Sequence, residues 1–364
     1  MSLWVVVGGQ YGSEGKGKVS AFITLKGDID ICVRCGGPNS GHSFTHEDGT
    51  TKVLRQLPTG YINPRTRLLI PAGALIDPAI LKGELDSFGI SASRVGIDEK
   101  CFLIQNSDRE LEKELGLRER LSSTLCGVGA AVSRRVLRGP DAKLAKDAVE
   151  TYPWLRGLLT DVSQEVNDAI DRGGKVLIEG TQGFGLSLYH SEHYPRTTSR
   201  DTSAAGFLSE VGVSPRLVTE IVVVFRTFPI RVAGAQAGPM KDEITWEQIR
   251  RESGYPHDIT EMTSVTNKVR RVGRFDWDLA TRAVSVNRPT RLAINGLDYL
   301  SFKNKGVSDW GSLSSEAEEF VRRLESSLMT SVCYFGCGPS LQEMFRHEIG
   351  EVEHFPSLAS ANSR

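Results

Sequence analysis

Residues 8–19, GGQYGSEGKGKV, combine the residue types that proteins use to bind phosphate. They follow the apolar run WVVV at residues 4–7, which is typical of a buried strand. Glycines let the backbone approach phosphate oxygens without a Cβ clash, and lysines supply positive charge. The usual phosphate loop, G-x4-G-K-S/T, ends in a hydroxyl-bearing residue, whereas this one has Val19 at that position. The stretch therefore predicts an unusual phosphate loop. It also contains Ser13, whose role the glycine and lysine spacing does not explain.

A second glycine-rich loop, GGPNSGHSF at residues 36–44, contains Asn39, Gly41 and His42. A histidine between glycines and near a phosphate loop is a candidate for an acid that works near neutral pH. A single histidine is also often a structural residue. The residue types alone therefore leave both roles open for His42.

Three further stretches carry polar groups that suit an anionic ligand. LIEGTQGFG at residues 177–185 places Glu179, Thr181 and Gln182 at the end of a predicted strand. YPRTTSRDTSAAG at residues 194–206 clusters hydroxyl groups with arginines, which suits a phosphate monoester. The basic stretch at residues 263–278 favours a small anionic substrate. Taken singly, each stretch is also compatible with a capped turn or a solvated loop.

The composition limits the classes of partner. The chain has 364 residues, of which 39% are hydrophobic and 24% charged, and its formal net charge is −1. A neutral chain lacks the basic field that holds nucleic acid, and no apolar run reaches the roughly 18–20 residues of a membrane span. We therefore expect neither nucleic acid nor a membrane as a partner. Six cysteines without complete zinc spacing predict reduced thiols and a cytoplasmic location.

Short apolar runs alternate with helical patterns, which predicts an α/β fold with a large, mostly parallel central sheet flanked by helices. Ligands bind such sheets at the carboxyl ends of the strands, where several glycine-rich stretches fall here. No linker divides the chain, so we predict one domain over residues 1–364. The predicted strands are WVVVG, DICVRC, RLLIP, CFLIQ, KVLIEG, EIVVVF, PIRVA, RLAIN and SVCYFG, and the predicted helices include DPAILKGELDSF, KLAKDAVETY, GLLTDVSQEVNDAIDRG, FDWDLATRAVSVN and SSEAEEFVRRLESSL.

Five of these stretches together resemble the motifs of the adenylosuccinate synthetase family, in the same order and over almost the whole chain. QYGSEGKGK is similar to Q-W-G-D-E-G-K-G-K, GGPNSGHS to G-G-x-N-A-G-H, and EGTQG to E-G-A-Q-G. YPRTTSRDTSAAG is similar to Y-P-x-V-T-S-S-N-T-T-A-G, and VTNKVRRVG to T-T-G-R-R-R-R-x-G. The resemblance implies the fold of that family in its compact form, with a P-loop-like nucleotide site.

The resemblance implies a carbon–nitrogen ligase that couples a 6-oxopurine nucleotide to L-aspartate, driven by a nucleoside triphosphate with Mg²⁺. The purine 6-oxygen is phosphorylated first, and the aspartate amino group then displaces phosphate, which leaves more readily than oxide. In this scheme Lys16 stabilises the transferring phosphoryl group, and His42 is the general acid that assists its transfer. The carbonyl of Gly41 is expected to bind Mg²⁺.

The resemblance also implies three groups of binding residues. The nucleotide substrate is expected to contact Ser13, Asn39, Thr124, Arg138, Gln182, Thr198 and Val232, with Arg138 acting in trans across a homodimer interface. The aspartate substrate is expected to contact Thr266, Lys268 and Arg270. The triphosphate is expected to contact Ser13, Gly15, Lys16, Gly17, Lys18, Gly41, His42, Ser43, Gly296, Asp298, Gly336, Gly338 and Pro339. The catalytic residues implied are Ser13, Lys16 and His42, and the Mg²⁺ ligands implied are Ser13 and Gly41.

Two departures from the family pattern bear on specificity. Ser13 replaces an aspartate that takes the purine N1 proton and binds Mg²⁺, although a hydroxyl is neither a base nor a strong metal ligand near pH 7. Gly296 replaces the lysine of T-K-L-D, a motif that recognises guanine in GTP, and GCGPS at residues 336–340 replaces S-T-G-P-D. The resemblance therefore leaves guanine specificity open and makes ATP or dATP the expected donor.

This combination resembles a bacteriophage branch of the family, which joins dGMP to L-aspartate and so makes a precursor of 2-aminoadenine for phage DNA. We therefore predict N6-succino-2-amino-2'-deoxyadenylate as the product, formed in the host cytoplasm if the chain is viral. An ordinary synthetase acting on IMP is the first alternative. A catalytically dead nucleotide-binding homologue is the second, and Val19 disfavours a phosphate-loop kinase.

Overall fold

The computed structural model describes residues 2–46, 48–263 and 268–348. Short 3₁₀ turns occur between the strands and helices. The strands are β1 Ser2–Gly8, β2 Ile31–Arg34, β3 His42–Thr45, β4 Thr51–Leu54, β5 Arg67–Ile70, β6 Leu75–Ile76, β7 Val95–Asp98, β8 Phe102–Leu103, β9 Leu159–Thr160, β10 Lys175–Glu179, β11 Glu220–Arg226, β12 Ile230–Arg231, β13 Glu243–Ile244, β14 Arg271–Gly273, β15 Arg291–Asn295, β16 Val332–Gly336 and β17 Met344–Arg346. The α-helices are α1 Lys16–Gly27, α2 Pro78–Phe88, α3 Asn106–Glu114, α4 Leu117–Leu121, α5 Val128–Leu137, α6 Val162–Asp171, α7 Ala204–Val211, α8 Trp246–Ser253, α9 Trp277–Asn287 and α10 Ser315–Leu328.

A ten-stranded sheet forms the centre of the fold, in the order β17-β16-β15-β11-β1-β10-β2-β5-β7-β9. Every neighbouring pair is parallel except β16 and β17, which are antiparallel. The valine-rich strand β1 lies between β10 and β11, where β-branched side chains pack on both faces of the sheet. The predicted mostly parallel α/β sheet is confirmed.

Helices cover both faces of this sheet. Val5 and Val7 of β1 pack into one hydrophobic cluster with α6, α7, α9 and α10. Val6, whose side chain points to the opposite face, packs with α1 and α2. Alternate residues of one central strand therefore join two separate cores, which fixes the register of the strand. Among the described residues, none of the helices is long and apolar enough to cross a membrane.

All nine predicted strands contain a strand in the structure, but two of them lie outside the central sheet. CFLIQ contains β8, which pairs with β6, and PIRVA contains β12, which belongs to a three-stranded sheet. In the central sheet the sequence patterns missed β7, β9 and β17, and outside it they missed β3, β4, β6, β13 and β14. The cause for β7 is its sequence, VGID, whose four residues include a glycine and an aspartate.

One helix prediction is wrong. KLAKDAVETY forms only a 3₁₀ turn at Ala145–Ala148. The backbone N–H groups of Ala145 and Lys146 donate to the carbonyls of Cys101 and Glu99, at 2.8 and 3.0 Å, so they are engaged outside the turn. Pro153 follows the segment and disfavours a helical residue before it. Tertiary backbone contacts therefore override the local helical pattern here.

Candidate active site

A cavity of about 630 Å³ lies at the carboxyl ends of β1, β2 and β10. The loops that follow these strands line it, together with residues 117–129, 194–199 and part of the segment after β11. The predicted site residues that line this cavity are Ser13, Gly15, Lys16, Gly17, Asn39, Gly41, His42, Ser43, Thr124, Gln182, Thr198, Val232 and Arg270. Stretches that are far apart in the sequence therefore converge on one site.

The phosphate loop enters α1 without a side-chain cap. Gly15 is the N-cap residue of α1 and has a φ of 92°, a conformation that favours glycine. Because no side chain accepts from the first turn, its backbone N–H groups remain available to an anion at the cavity. Gly17 lets His42 approach closely, since a Cβ atom at Gly17 would lie 2.6 Å from the His42 Cβ.

Lys16 is held in place by a carboxylate that the sequence analysis did not single out. Its Nζ lies 2.7 Å from Glu14 Oε2, and both side chains are buried. The other oxygen of Glu14 accepts from the backbone N–H groups of Gln10 and Gly12, at 3.0 and 2.8 Å. Glu14 is therefore fully engaged and does not supply the carboxylate that Ser13 lacks.

Ser13 itself is exposed, with a φ of 58°. Its carbonyl accepts from Nη1 of Arg226 at 3.2 Å, and the same guanidinium binds both carboxylate oxygens of Glu261. Glu261 lines the cavity next to Arg270, whose Nε donates to the carbonyl of Met262 at 3.1 Å. Arg226 thus connects the phosphate loop to the segment that carries the predicted aspartate site.

His42 donates into a buried carboxylate and turns its other nitrogen to the cavity. Its Nδ1 lies 2.5 Å from Oε1 of Glu179, and among the described residues its buried Nε2 has no hydrogen-bond partner. Burial, together with the positive charge of Arg34, lowers the pKa of His42 to about 3, against the opposing effect of Glu179. We therefore assign the neutral ring with hydrogen on Nδ1, so Nε2 must gain a proton before His42 acts as an acid.

The cavity contains several buried polar atoms that nothing in the described chain satisfies. Buried polar groups normally have partners, so a cluster of exceptions indicates a polar ligand. Arg231 is 1% exposed, and its guanidinium lies 4.4 Å from the centre of the Tyr11 ring. Burial lowers the pKa of Arg231 to about 10. Five of the nine partnerless atoms found in the described residues belong to the cavity lining: Asn39 Oδ1, His42 Nε2, Arg196 Nε, Thr198 Oγ1 and Arg231 Nε.

The residues expected to bind the base of the triphosphate lie beside the cavity rather than on its wall. They are Gly296, Asp298, Gly336, Gly338 and Pro339, which follow β15 and β16. Lys18 joins this cluster through a hydrogen bond of 2.5 Å from its Nζ to the carbonyl of Gly338, and burial lowers its pKa to about 8. One oxygen of Asp298 accepts from the hydroxyl of Tyr255.

Two further predicted residues with described positions are not brought to the cavity lining. Arg138 is exposed at the end of α5, with a φ of 54°. Lys268 is also exposed, and its backbone N–H donates to the hydroxyl of Thr263 at 2.9 Å. Thr266 lies outside the described residues.

The donor atoms at the implied Mg²⁺ position are neutral oxygens, from the Ser13 hydroxyl and the Gly41 carbonyl. No group of three or more acidic, histidine or cysteine side chains forms a metal cluster within the described ranges. Mg²⁺ in phosphate sites keeps waters and takes most of its remaining ligands from the phosphates. The residues present therefore fit an ion that arrives with the triphosphate.

Comparison with known proteins shows sequence similarity over most of the chain, well beyond the residues that line the cavity. A sequence model of the adenylosuccinate synthetase family matches residues 5–144 and 140–305 of the chain. The adenylosuccinate synthetase of Pyrococcus horikoshii is 40% identical over 345 residues, which cover 93% of this chain and 97% of that protein. The enzyme of Methanocaldococcus jannaschii is 39% identical over 344 residues, which cover 93% and 95% of the two chains.

Two solved structures have the same architecture. The fully ligated adenylosuccinate synthetase of Plasmodium falciparum superposes with a TM-score of 0.82 at 20% identity, and the superposition covers 96% of this chain and 100% of that chain. At this identity the similarity is evidence for a shared fold only. Succinoaminodeoxyadenylate synthetase of cyanophage S-2L, solved bound to dGMP and dATP, gives a TM-score of 0.80 at 26% identity and covers 95% of both chains. From the family match and the archaeal relatives, the chain belongs to the adenylosuccinate synthetase family.

Proposed function

We propose that this chain joins the amino group of L-aspartate to C6 of a 6-oxopurine nucleotide, driven by a nucleoside triphosphate. The observation that carries the proposal is that Lys16 and His42 line the same cavity as the partnerless polar atoms of Asn39 and Thr198. That arrangement provides groups for phosphoryl transfer next to groups that can bind a second phosphate. The family match over residues 5–305 supports the further proposal that the chain is one catalytic unit.

In the first step the purine N1–H loses its proton to a bound water, the 6-oxygen attacks the γ-phosphorus, and the bond from that phosphorus to the bridging oxygen breaks, which releases the nucleoside diphosphate. Lys16 and the N–H groups of α1 stabilise the negative charge on the transferring phosphoryl group. His42 Nε2, protonated once the anionic substrates are bound, donates toward the oxygens that carry this charge. When bound with the triphosphate, Mg²⁺ supplies further neutralisation of the phosphates.

In the second step the aspartate nitrogen forms a bond to C6, and the bond between C6 and the phosphoryl-bearing oxygen breaks. The nitrogen gives a proton to the departing phosphoryl group, which leaves as hydrogen phosphate. Arg270 lines the cavity, and its charge suits a carboxylate of aspartate; Lys268, two residues earlier in the chain, is the second candidate. Gln182 and Thr198, at the cavity wall, suit the phosphate of the nucleotide.

IMP and dGMP are the two candidate nucleotide substrates, and the sequence identities to known proteins support IMP better than dGMP. The curated relatives at 39–40% identity over most of their length are adenylosuccinate synthetases. The structural neighbour that was solved with dGMP is 26% identical. The ordinary synthetase, which the sequence analysis left as an alternative, is therefore better supported by the comparisons than the dGMP enzyme.

One observation favours dGMP as a second candidate. Ser13 replaces the aspartate that accepts the N1 proton, and the two cavity-lining carboxylates among the described residues are already engaged. Glu112 accepts from the N–H groups of Gly127 and Gly129, and Glu261 is paired with Arg226. The shorter side chain of Ser13 leaves room beside N1 for a 2-amino group. An N1 proton acceptor other than a side-chain carboxylate, such as a water held by the Ser13 hydroxyl, is then required.

The deciding experiment measures phosphate release with L-aspartate and Mg²⁺, using IMP, GMP or dGMP as substrate and ATP, dATP or GTP as donor. Mass spectrometry identifies the succinylated product. Turnover with IMP alone would establish the ordinary synthetase, and turnover with dGMP but not IMP would establish the second candidate. ATP or dATP is the proposed donor, because Gly296 replaces the lysine of T-K-L-D, the motif that recognises guanine.

Ser13→Asp is expected to lower kcat/KM for dGMP relative to IMP by about 10–100-fold, because the longer, charged side chain fills the space beside the 2-amino group. The ratio of the two kcat/KM values is the measurement. Ser13→Ala is the control, since it removes the hydroxyl without adding volume or charge. An unchanged ratio in Ser13→Asp would show that this position does not select the base.

Arg138 gives a test of the proposed homodimer. It is exposed and outside the cavity lining, so a role in catalysis requires that it acts on the site of a second subunit. Mixing and reassociating Arg138→Ala with His42→Asn is expected to restore roughly a quarter of wild-type activity, because half of the dimers are mixed and each has one intact site. Each variant alone is the control. If mixing restores nothing, Arg138 does not act in trans.

A further inference from the structure

Glu179, the last residue of β10, is a buried carboxylate to which the proposed chemistry assigns no role. It is 0% exposed, and five hydrogen bonds meet it, the weakest being from the Cys32 thiol to Oε2 at 3.9 Å. Oε1 accepts from Arg34 Nη1 at 2.8 Å and from His42 Nδ1 at 2.5 Å. Oε2 accepts from the backbone N–H and the hydroxyl of Thr59, at 2.9 and 2.7 Å. Since a carboxylate has about four lone-pair positions, these donors fix its orientation completely.

The His42 ring has one degree of freedom that packing leaves undetermined. Its Cβ packs closely against Gly17 at the start of α1, which restrains where the ring lies. Rotation of the ring by 180° exchanges Nδ1 with a carbon atom of similar size, so packing does not distinguish the two orientations. The hydrogen bond to Glu179 does, because only Nδ1 can donate to the carboxylate. That bond also requires hydrogen on Nδ1 in the neutral ring.

We propose that Glu179 is the positioning residue for His42, which sets both the ring orientation and the tautomer and so directs a bare Nε2 into the cavity. This rests on the proposed function, in which His42 acts on the substrate. Arg34 links the same carboxylate to the loop that carries His42. Its Nη2 donates to the carbonyl of Ser40, two residues before His42, at 2.8 Å. One carboxylate thus holds the histidine and, through Arg34, the loop that carries it.

Glu179→Gln tests the proposal with little change in shape. On either side the new amide NH₂ group meets at least one N–H donor, either those of Arg34 and His42 or the backbone N–H of Thr59, although the Thr59 hydroxyl can turn to accept. When it faces His42, the ring must accept at Nδ1, and its hydrogen moves to Nε2. We expect kcat to fall about 10–100-fold, with the KM values for nucleotide and aspartate changed less than threefold.

Glu84→Gln is the matched control. Glu84 is 7% exposed, and its carboxylate accepts from the backbone N–H groups of Arg55, Gln56 and Leu57, close to Thr59 in the chain. It is therefore a buried carboxylate of the same kind in the same region, and it has no described contact with His42. We expect it to keep kcat within about twofold at equal folded fraction. A loss of kcat equal to that of Glu179→Gln would overturn the proposal.

A second readout does not depend on turnover. In ¹⁵N-histidine-labelled protein, long-range ¹H–¹⁵N correlation spectra distinguish the two neutral tautomers, and the His42→Asn spectrum identifies the signals of His42. We expect hydrogen on Nδ1 in the wild type and in Glu84→Gln, and a substantial Nε2–H population in Glu179→Gln. An unchanged tautomer in Glu179→Gln would refute the positioning role. If no nucleotide is turned over, the proposed function fails while this measurement still decides the role of Glu179.

Discussion

His42→Asn is expected to lower kcat by about 10²–10⁴-fold, the range for loss of a general acid that acts in the transition state. The His42 ring is buried, and its Nε2 belongs to the cavity wall. Asparagine is close in size and polar, so the fold should be retained and the loss should fall on the chemical step. Steady-state phosphate release under saturating substrates measures kcat, and thermal unfolding measures the folded fraction.

The control for this variant is His46→Asn, because His46 follows the same strand but faces Tyr61. The His46 Nε2 lies 2.7 Å from the hydroxyl of Tyr61, and the residue does not line the cavity. We expect its kcat to stay within about twofold of the wild type. If His42→Asn kept a near wild-type kcat, His42 would not be the general acid, and a water or Lys16 would have to take that role.

Lys16→Met is expected to lower kcat by about 10²–10³-fold, the effect of removing one preorganised donor from the developing charge. It is also expected to destabilise the fold by about 3–5 kcal/mol, because a buried charge loses its partner. Glu14 and Lys16 are both almost fully buried, so water does not replace the lost ammonium group. Urea unfolding measures the stability, and phosphate release measures the activity.

The double variant Lys16→Met with Glu14→Gln separates these two effects. Glutamine still accepts from the N–H groups of Gln10 and Gly12, and it carries no charge that needs compensation. We expect stability to return close to the wild type while kcat stays low. Recovery of kcat together with stability would mean that Lys16 only maintains the fold.

The layout of the fold was predictable because a parallel sheet uses continuous apolar strands, and runs such as KVLIE are too apolar to be surface strands. The helix expected at residues 143–152 was not predictable from its pattern, because the carbonyls of Cys101 and Glu99 that capture its N–H groups lie far back in the sequence. Short strands such as β7 carry too few apolar residues to show a period. Local patterns therefore predict the core and fail where long-range backbone pairing decides the structure.

For the site, the loops that follow the strands were predictable, since glycine and lysine spacing is a local signal. The supporting partners Arg226 and Arg231 were not, because they act through contacts that join distant segments. Glu14 contacts Gln10, Gly12 and Lys16 of its own loop, and the residue spacing does not reveal how that loop folds around the carboxylate. Arg231 left one signal, a charged residue inside the apolar run PIRVA. Glu179 was visible at its strand end, but only the fold shows that it lies beside His42.

The partnerless polar atoms of the cavity have a consequence for how this protein can be engineered. Each desolvated amide, hydroxyl or guanidinium nitrogen lowers the stability of the substrate-free protein, while an apolar group of the same shape would not. A screen that selects only for heat resistance will therefore favour substitutions at these positions, Thr198 among them. Such substitutions replace polar side chains that bind the substrate with apolar side chains that only pack. Thermostable variants chosen that way should be expected to lose their substrates first.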